Sequence, residues 1–286
     1  MATRRQFLAE MTSAIPIVTL GRQRPAAATA VGSERAVVRA QRLSWAGVKV
    51  EGGATTVLMD PWITTSIWGG AWTRPIVPIE VDTGSHYVLI THAHGDHFDP
   101  VVLRQVLAER GCVICHEALG SYIASHGLRI LAQRLYEPRQ VGEFVVTPVP
   151  AVDGGGEEQV SWVIQGGGRR IFHGGDTMWH GHWWTIGEQY GPFDVAFLPI
   201  NGAVVKARLP VAEVPASLTP EQAVAATTVL RARTLVPIHY GVHSPAAYEE
   251  PADVVGTVQR LCRERDVAVQ IVDEGAWVMW PQATAR

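Results

Sequence analysis

The chain has 286 residues, 47% of them apolar and 18% charged, with a formal net charge of −3. That is enough apolar chain to bury a large core, and the composition is that of a folded domain rather than a disordered one. Residues 1–32 hold four arginines against Glu10, a net of +3, so the rest carries −6. An acidic body gives no support for a nucleic-acid partner. No apolar run approaches the roughly 20 residues that span a bilayer, so no integral membrane segment is expected. The cysteines, Cys112, Cys115 and Cys262, are odd in number and do not suit a disulfide framework. Cys112 and Cys115 lie three apart in a strand-like stretch, where they face opposite sides and cannot pair on one ligand.

The N-terminus reads Met1-Ala2-Thr3-Arg4-Arg5-Gln6-Phe7-Leu8. It resembles a twin-arginine export signal: a small hydroxyl residue, two arginines, any residue, then Phe-Leu. An apolar stretch over 15–20, interrupted by Pro16, and the small residues 26–30 complete the layout. Residues 1–32 are therefore predicted to be a signal peptide or tail, with export to the periplasm or exterior. A basic tail on a cytoplasmic protein is the alternative. The folded domain is expected over 33–286.

That domain opens with strands over 36–44, 46–51 and 54–59. Gly52-Gly53 suits a two-residue hairpin turn between the last two. Asp60-Pro61-Trp62 ends the third. Residues 62–78 form a loop rich in tryptophan (Trp62, Trp68, Trp72), which must pack on the core or wall an apolar pocket. The apolar run Tyr87-Val88-Leu89-Ile90 reads as a buried strand and runs into Thr91-His92-Ala93-His94-Gly95-Asp96-His97-Phe98-Asp99-Pro100. Asp99 and Pro100 then suit the cap and first turn of a helix over 101–109. Three histidines and an aspartate thus converge on a loop at the carboxyl end of a strand, where open α/β sheets place their chemistry. Imidazole with carboxylate suits zinc, iron or manganese. His92 and His94 point to one side of an extended segment, and Asp96 and His97 follow past Gly95. One loop can then offer ligands to two adjacent metals.

Downstream, 112–115 reads as a strand and 117–125 as a helix. A strand over 141–149 ends near Asp153. A hairpin over 160–165 and 169–172 delivers His173-Gly174-Gly175-Asp176-Thr177. The segment 178–184 carries Trp179, His180, His182, Trp183 and Trp184. A strand over 194–200 precedes a helix opened by Thr219-Pro220-Glu221-Gln222, a capping box with proline at the first position. The strand 234–238 delivers His239-Tyr240-Gly241. A helix over 254–265 and strands over 267–272 and 276–280 finish the chain.

The HxHxDH loop, the Asp-Pro strand end, Gly-Asp-Thr and Pro-x-His-Tyr-Gly together resemble the metallo-β-lactamase fold superfamily. The nearest pattern is the branch that includes ascorbate-phosphate lactonase and N-acyl-phosphatidylethanolamine phospholipase D. The resemblance implies an α/β fold of four αββα layers and a hydrolase holding two divalent metal ions, with zinc expected and manganese or iron as alternatives. It implies His92, His94 and Asp153 on one metal, Asp96, His97 and His239 on the other, and Asp176 bridging both. That branch has a histidine where this chain has Asp153, so the alternatives are a single-metal site or a stand-in ligand such as His173, His180 or His182. Water between two cations has its pKa lowered toward about 7 and would attack a carbonyl or phosphorus centre, with Asp96 handling the proton. The substrate is expected to be a small ester, lactone or phosphodiester with an apolar portion, contacted by Trp62, Trp68, Trp179, His180, His182 and His243. Iron-dependent redox chemistry and a non-catalytic metal-binding module are the alternatives.

Overall fold

The computed structural model describes residues 37–80, 85–107, 111–242, 244 and 246–281. The export signal expected over 1–32 and the substrate contact expected at His243 lie outside the described residues. β1 (Val38–Arg42), β2 (Val48–Gly52), β3 (Thr55–Met59), β4 (Ser85–Leu89), β5 (Cys112–His116) and β6 (Ile130–Gln133) form one sheet in sequential order. Its first three strands are antiparallel, and pairing is parallel from β3 onward. Gly52 pairs with Thr55, so the hairpin turn is Gly53-Ala54, one residue later than predicted. Gly53 takes the positive φ of +57° that such a turn requires.

The second sheet contains β7 (Arg139–Val141), β8 (Phe144–Pro150), β9 (Val160–Gly166), β10 (Arg169–His173), β11 (Val195–Pro199) and, after the short β12 (Val204–Val205), β13 (Leu235–Ile238). Its order is β13-β11-β10-β9-β8-β7. β14 (Tyr248–Glu249) pairs back on β12. The helices are α1 (Pro100–Val106), α2 (Gly120–Ala124), α3 (Trp183–Tyr190), α4 (Pro220–Val229) and α5 (Val254–Glu264). None of the described helices is long and apolar enough to cross a membrane.

Alternation along the strands builds the layers. Met59, Leu89 and Ile114 meet Val146, Trp162 and Phe197 in one core between the sheets. Their neighbours Leu58, Val88 and Val113 pack outward on α1 through Val102, Leu103 and Val106. On the far side Val163, Phe172 and Leu198 pack against Trp183, Val224 and Val258 of α3, α4 and α5. The result is the predicted αββα sandwich, with each fully buried apolar side chain contributing roughly 1.5–3 kcal/mol. Cys112 lies in the central core and Cys115 in the outer one, as strand alternation requires. All three cysteines are free.

The C-terminal segments differ from expectation. Each meets an edge strand through two backbone hydrogen bonds: Leu235 N–H to Ala268 O and Gln270 N–H to Leu235 O, then Arg42 N–H to Ala276 O and Val278 N–H to Ala40 O. The contact reduces to single bridges, Leu235 with Val269 and Gln41 with Trp277, rather than continuous strands.

Chain direction sets the position of the site. β3, β4, β8, β10, β11 and β13 all end at the same edge of the sandwich. The two sheets are tied there by Val160 N–H to Thr91 O at 3.0 Å and Trp162 Nε1–H to Ile90 O at 3.2 Å.

Candidate metal centre

Strand ends bring seven potential ligands together from four places in the chain. His92, His94, Asp96 and His97 follow β4, Asp153 follows β8, Asp176 follows β10 and His239 follows β13. They fall into two groups, His92–His94–Asp153–Asp176 and Asp96–His97–His239, with ligand atoms in each within 4.8 Å of one another. Asp176 stands between them. Its Oδ1 is 3.7 Å from His92 Nε2, and its Oδ2 is 3.8 Å from both His97 Nε2 and His239 Nε2. Gly175 makes this approach possible. Its φ is +63°, and a Cβ there would meet the Gln159 amide and the Thr91 hydroxyl at 3.0 Å. The chain turns at Gly95, with His97 N–H and Phe98 N–H both on His94 O, and it does so without a left-handed φ at the glycine.

Outer hydrogen bonds aim the imidazoles. Thr91 Oγ1 is 3.0 Å from His92 Nδ1, leaving Nε2 toward the site. Asp60 is fully buried and accepts from Thr91 N–H at 2.9 Å, Thr91 Oγ1–H at 2.7 Å and His97 Nδ1–H at 2.8 Å. With Nδ1 carrying the proton, His97 Nε2 bears the lone pair a metal needs. His97 Nε2 and His239 Nε2 are buried and have no hydrogen-bond partner among the described residues. Such orphaned nitrogens are rare without a ligand to satisfy them, so the residues present fit divalent cations.

Asp153 stands in the first group, as the sequence expectation had it. Its Oδ2 accepts from Gly155 N–H at 2.5 Å and Glu157 N–H at 3.1 Å, so the turn 153–157 fixes the carboxyl. Oδ1 is left 3.5 Å from His94 Nδ1. The alternative His173 is occupied otherwise, with Nε2 on Ala46 O at 2.9 Å and Nδ1 near Gly175 N–H at 3.3 Å. Asp153→Ala is expected to weaken metal binding by at least roughly 10–100-fold, the cost of losing even an outer partner. Metal titration checks this, and unchanged stoichiometry and affinity would exclude Asp153 as a ligand.

The charges balance locally. Burial alone would suppress charge on His97, but Asp176, Asp96 and Asp60 around it push its pKa up to about 10 in the metal-free chain. Burial acts upward on Asp176, yet His92, His97 and His239 hold it down at about 2. Burial also acts upward on Asp96, and His97 with His239 holds it well below the usual carboxylate range. His92 falls to about 4, chiefly through burial. Carboxylates held ionised beside imidazoles form a donor set ready for cations, at the cost of displacing a proton from His97.

The site opens into a cavity of about 320 Å³ lined by Ile67, Trp68, His94, Asp96, Asp153, Asp176, Arg208, Ser217, His239 and Tyr248, among others. Of the predicted substrate contacts, Trp68 lies on this wall. Trp62 does not: it is buried in the intersheet core, edge-on to Trp72 at 4.9 Å. Trp179, His180 and His182 gather over α3 instead, with His180 stacked on Trp183 at 4.3 Å. The tryptophan loop therefore divides its work between core and cavity. Asp99 anchors it, accepting from Ile63 N–H and Thr64 N–H while also capping α1 through Val101 N–H.

Sequence reasoning missed several residues. Trp45, at φ +58°, donates Nε1–H to Asp96 Oδ2 at 3.0 Å and packs its ring 4.1 Å from His239. Gln159 donates to Asp176 Oδ1 at 2.7 Å. Tyr248 lines the cavity, with the buried Asn201 donating to its hydroxyl from behind; burial and the Asp96 and Asp176 carboxylates keep the Tyr248 phenol protonated. No spacing pattern marks any of these, because each comes from a separate segment of the chain.

The family model for the beta-lactamase superfamily domain matches residues 55–240, the span from β3 to the residue after His239. The chain belongs to the metallo-β-lactamase superfamily. Among its relatives is a UPF0173 metal-dependent hydrolase of Thermococcus onnurineus, 28% identical over 68% of this chain and 81% of that one. Solved structures share the architecture. Igni18, a metallo hydrolase of Ignicoccus hospitalis, superposes with TM-score 0.64 at 22% identity over 84% of this chain and 97% of its own. CmlA, a diiron β-hydroxylase of Streptomyces venezuelae, gives TM-score 0.67 at 16% identity over 86% of this chain and 54% of its own. At these identities the likeness is one of fold.

Proposed function

We propose that the protein is a hydrolase with two divalent metal ions, zinc foremost, acting on an ester, lactone or phosphodiester with an apolar portion. The observation that carries this reading is Asp176, one carboxylate oxygen facing His92 and the other facing His97 and His239. A carboxylate so placed can serve two cations at once. Cations held there would supply Lewis acidity and make water acidic enough to react at neutral pH. The protein's own part is to orient and exclude. Asp96, ionised and fixed by Trp45, can take a proton from the attacking water. Ile67 and Trp68 offer an apolar wall for the substrate's carbon skeleton. Ser217 also lines the cavity, but its hydroxyl is spent on Asn201 Oδ1, which favours water over serine as nucleophile. The relatives named as metal-dependent hydrolases support the same reaction class.

The test is turnover of 4-nitrophenyl esters, lactones and bis(4-nitrophenyl) phosphate before and after chelation, with elemental analysis alongside. Loss on chelation, recovery with zinc or manganese and two metal equivalents per chain are expected. Activity untouched by chelation would sink the reading. Bound iron with oxygen-dependent turnover would replace it with redox chemistry.

A further inference from the structure

The carboxyl ends of β10, β11 and β13 lie side by side. The outer two deliver Asp176 and His239; the middle one delivers Asn201, which is fully buried. An amide oxygen only accepts and an amide nitrogen only donates. Ser217 Oγ–H donates to Asn201 Oδ1, so Asn201 Nδ2–H is left to donate to Tyr248 Oη. The phenol oxygen is thereby used as an acceptor, and its single proton meets no acceptor among the described residues. Tyr248 is held with its ring edge-on to Trp68 at 5.1 Å, and it lines the cavity together with Asp96, Asp176 and His239. Its backbone is fixed as well, with Tyr248 N–H on Ser244 O at 2.7 Å and pairing to Val205.

We infer that Tyr248, presented by the Ser217–Asn201 relay, is the proton donor to the leaving oxygen, and that the substrate is an ester whose leaving group is an unactivated alkoxide. The inference rests on the hydrolase reading and narrows its substrate class. In the step, the attacking water gives a proton to the Asp96 carboxylate as its oxygen bonds to the acyl or phosphoryl centre. The bond from that centre to the leaving oxygen then breaks. The Tyr248 Oη proton moves to that oxygen, which departs as the alcohol. Asp96 releases its proton to solvent and the phenolate recovers one, so one water is consumed and the ester becomes acid plus alcohol. A donor is needed where the leaving oxygen cannot depart as an anion, and general acids of this kind contribute roughly 10²–10⁴-fold. A nitrophenolate leaves without help.

The experiment compares Tyr248→Phe with the natural chain, both metal-loaded, on alkyl and 4-nitrophenyl esters of one acid. The expected result is a loss of roughly 10²–10⁴-fold on the alkyl ester and little change on the nitrophenyl ester. Equal losses on both, or none on either, would overturn the assignment. Asn201→Asp tests the relay, because a carboxylate would accept the phenol proton and withdraw it from the cavity; the same selective loss is expected. Metal content and circular dichroism of each variant separate a local effect from misfolding. A readout free of turnover is binding of inorganic phosphate to the metal-loaded chain. Loss of a hydrogen bond to an anion should weaken it about 10-fold or more in Tyr248→Phe, and an unchanged affinity would also count against Tyr248. If the natural chain hydrolyses neither ester, it is the hydrolase reading that fails, while the phosphate comparison still decides whether Tyr248 donates.

Discussion

Asp176→Asn is expected to reduce metal content from two equivalents to one and to lower turnover by roughly 10²–10³-fold, the scale set by removing one preorganised electrostatic partner. The two carboxylate oxygens have different neighbours. Gln159 donates to Oδ1 at 2.7 Å, and that oxygen also faces His92. In the asparagine variant Gln159 still requires an acceptor, so the amide oxygen stays at Oδ1 and the amide nitrogen replaces Oδ2. That nitrogen donates and has no lone pair for a metal. The group of Asp96, His97 and His239 loses its shared ligand, while His92, His94 and Asp153 keep theirs. The fold should survive, since the two side chains have nearly the same shape. Metal content by elemental analysis, set against rate, checks the point. Two retained equivalents with a rate within tenfold of normal would mean that Asp176 does not bridge.

The parts of the site legible in the sequence share one property. His92 to His97 lie in six consecutive residues after an apolar strand, so composition and spacing alone point to metal ligands. Asp176 and His239 each close a strand inside a short recognisable motif; Asp60 also closes a strand, but nothing in its Asp-Pro motif marked it as the partner of His97. The fold was legible for the same reason: the strand runs alternate between a central core and an outer one, and helices such as α4 carry their caps. The Thr219–Gln222 capping box forms as read, with Gln222 N–H on Thr219 Oγ1 at 3.3 Å and Thr219 N–H on Gln222 Oε1 at 3.0 Å. The residues that escaped depend on tertiary placement. Trp45 sits in a turn between β1 and β2, and Asn201 looks like loop sequence after β11. Only sheet order puts one beside His239 and the other between Asp176 and His239. Trp62 and Trp68 lie six residues apart in one loop and read alike, yet one is sealed in the core and the other faces the cavity. Aromatic content gives no direction, and direction here came from Asp99 pinning the loop at Ile63 and Thr64.

The second large effect is expected at Asp60, which touches no metal in the proposed scheme. Asp60→Ala removes the acceptor for Thr91 N–H, Thr91 Oγ1–H and His97 Nδ1–H, all buried. Breaking a buried charged pair from one side costs about 3–5 kcal/mol, and alanine also fits poorly at the residue's φ of +43°. Asp60→Asn separates geometry from proton placement. Asparagine keeps the shape and tolerates that backbone, but an amide N–H opposite His97 Nδ1 would require Nδ1 to accept. The ring proton would then sit on Nε2, where a metal needs the lone pair. Asparagine should therefore cost less stability than alanine yet weaken metal binding by roughly 10–100-fold. Denaturation and metal titration read the two separately; equal metal affinity in Asp60→Asn and the natural chain would show that Asp60 does not set the tautomer. The pH dependence carries the same signature. His97 is raised from 6.5 to about 10 without metal, so its contribution is complete below about pH 6.5 and fades as pH rises through 10. Asp176 is lowered from 3.8 to about 2, so its contribution is present above about pH 3.8 and fades as pH falls through 2. His92, lowered from 6.5 to about 4 by burial, costs stability as pH falls below about 6.5, so these three groups together place the greatest stability of the metal-free chain near pH 6.5. In Asp60→Asn the alkaline limb should move to lower pH, because one of the three carboxylates that hold the proton on His97 is gone.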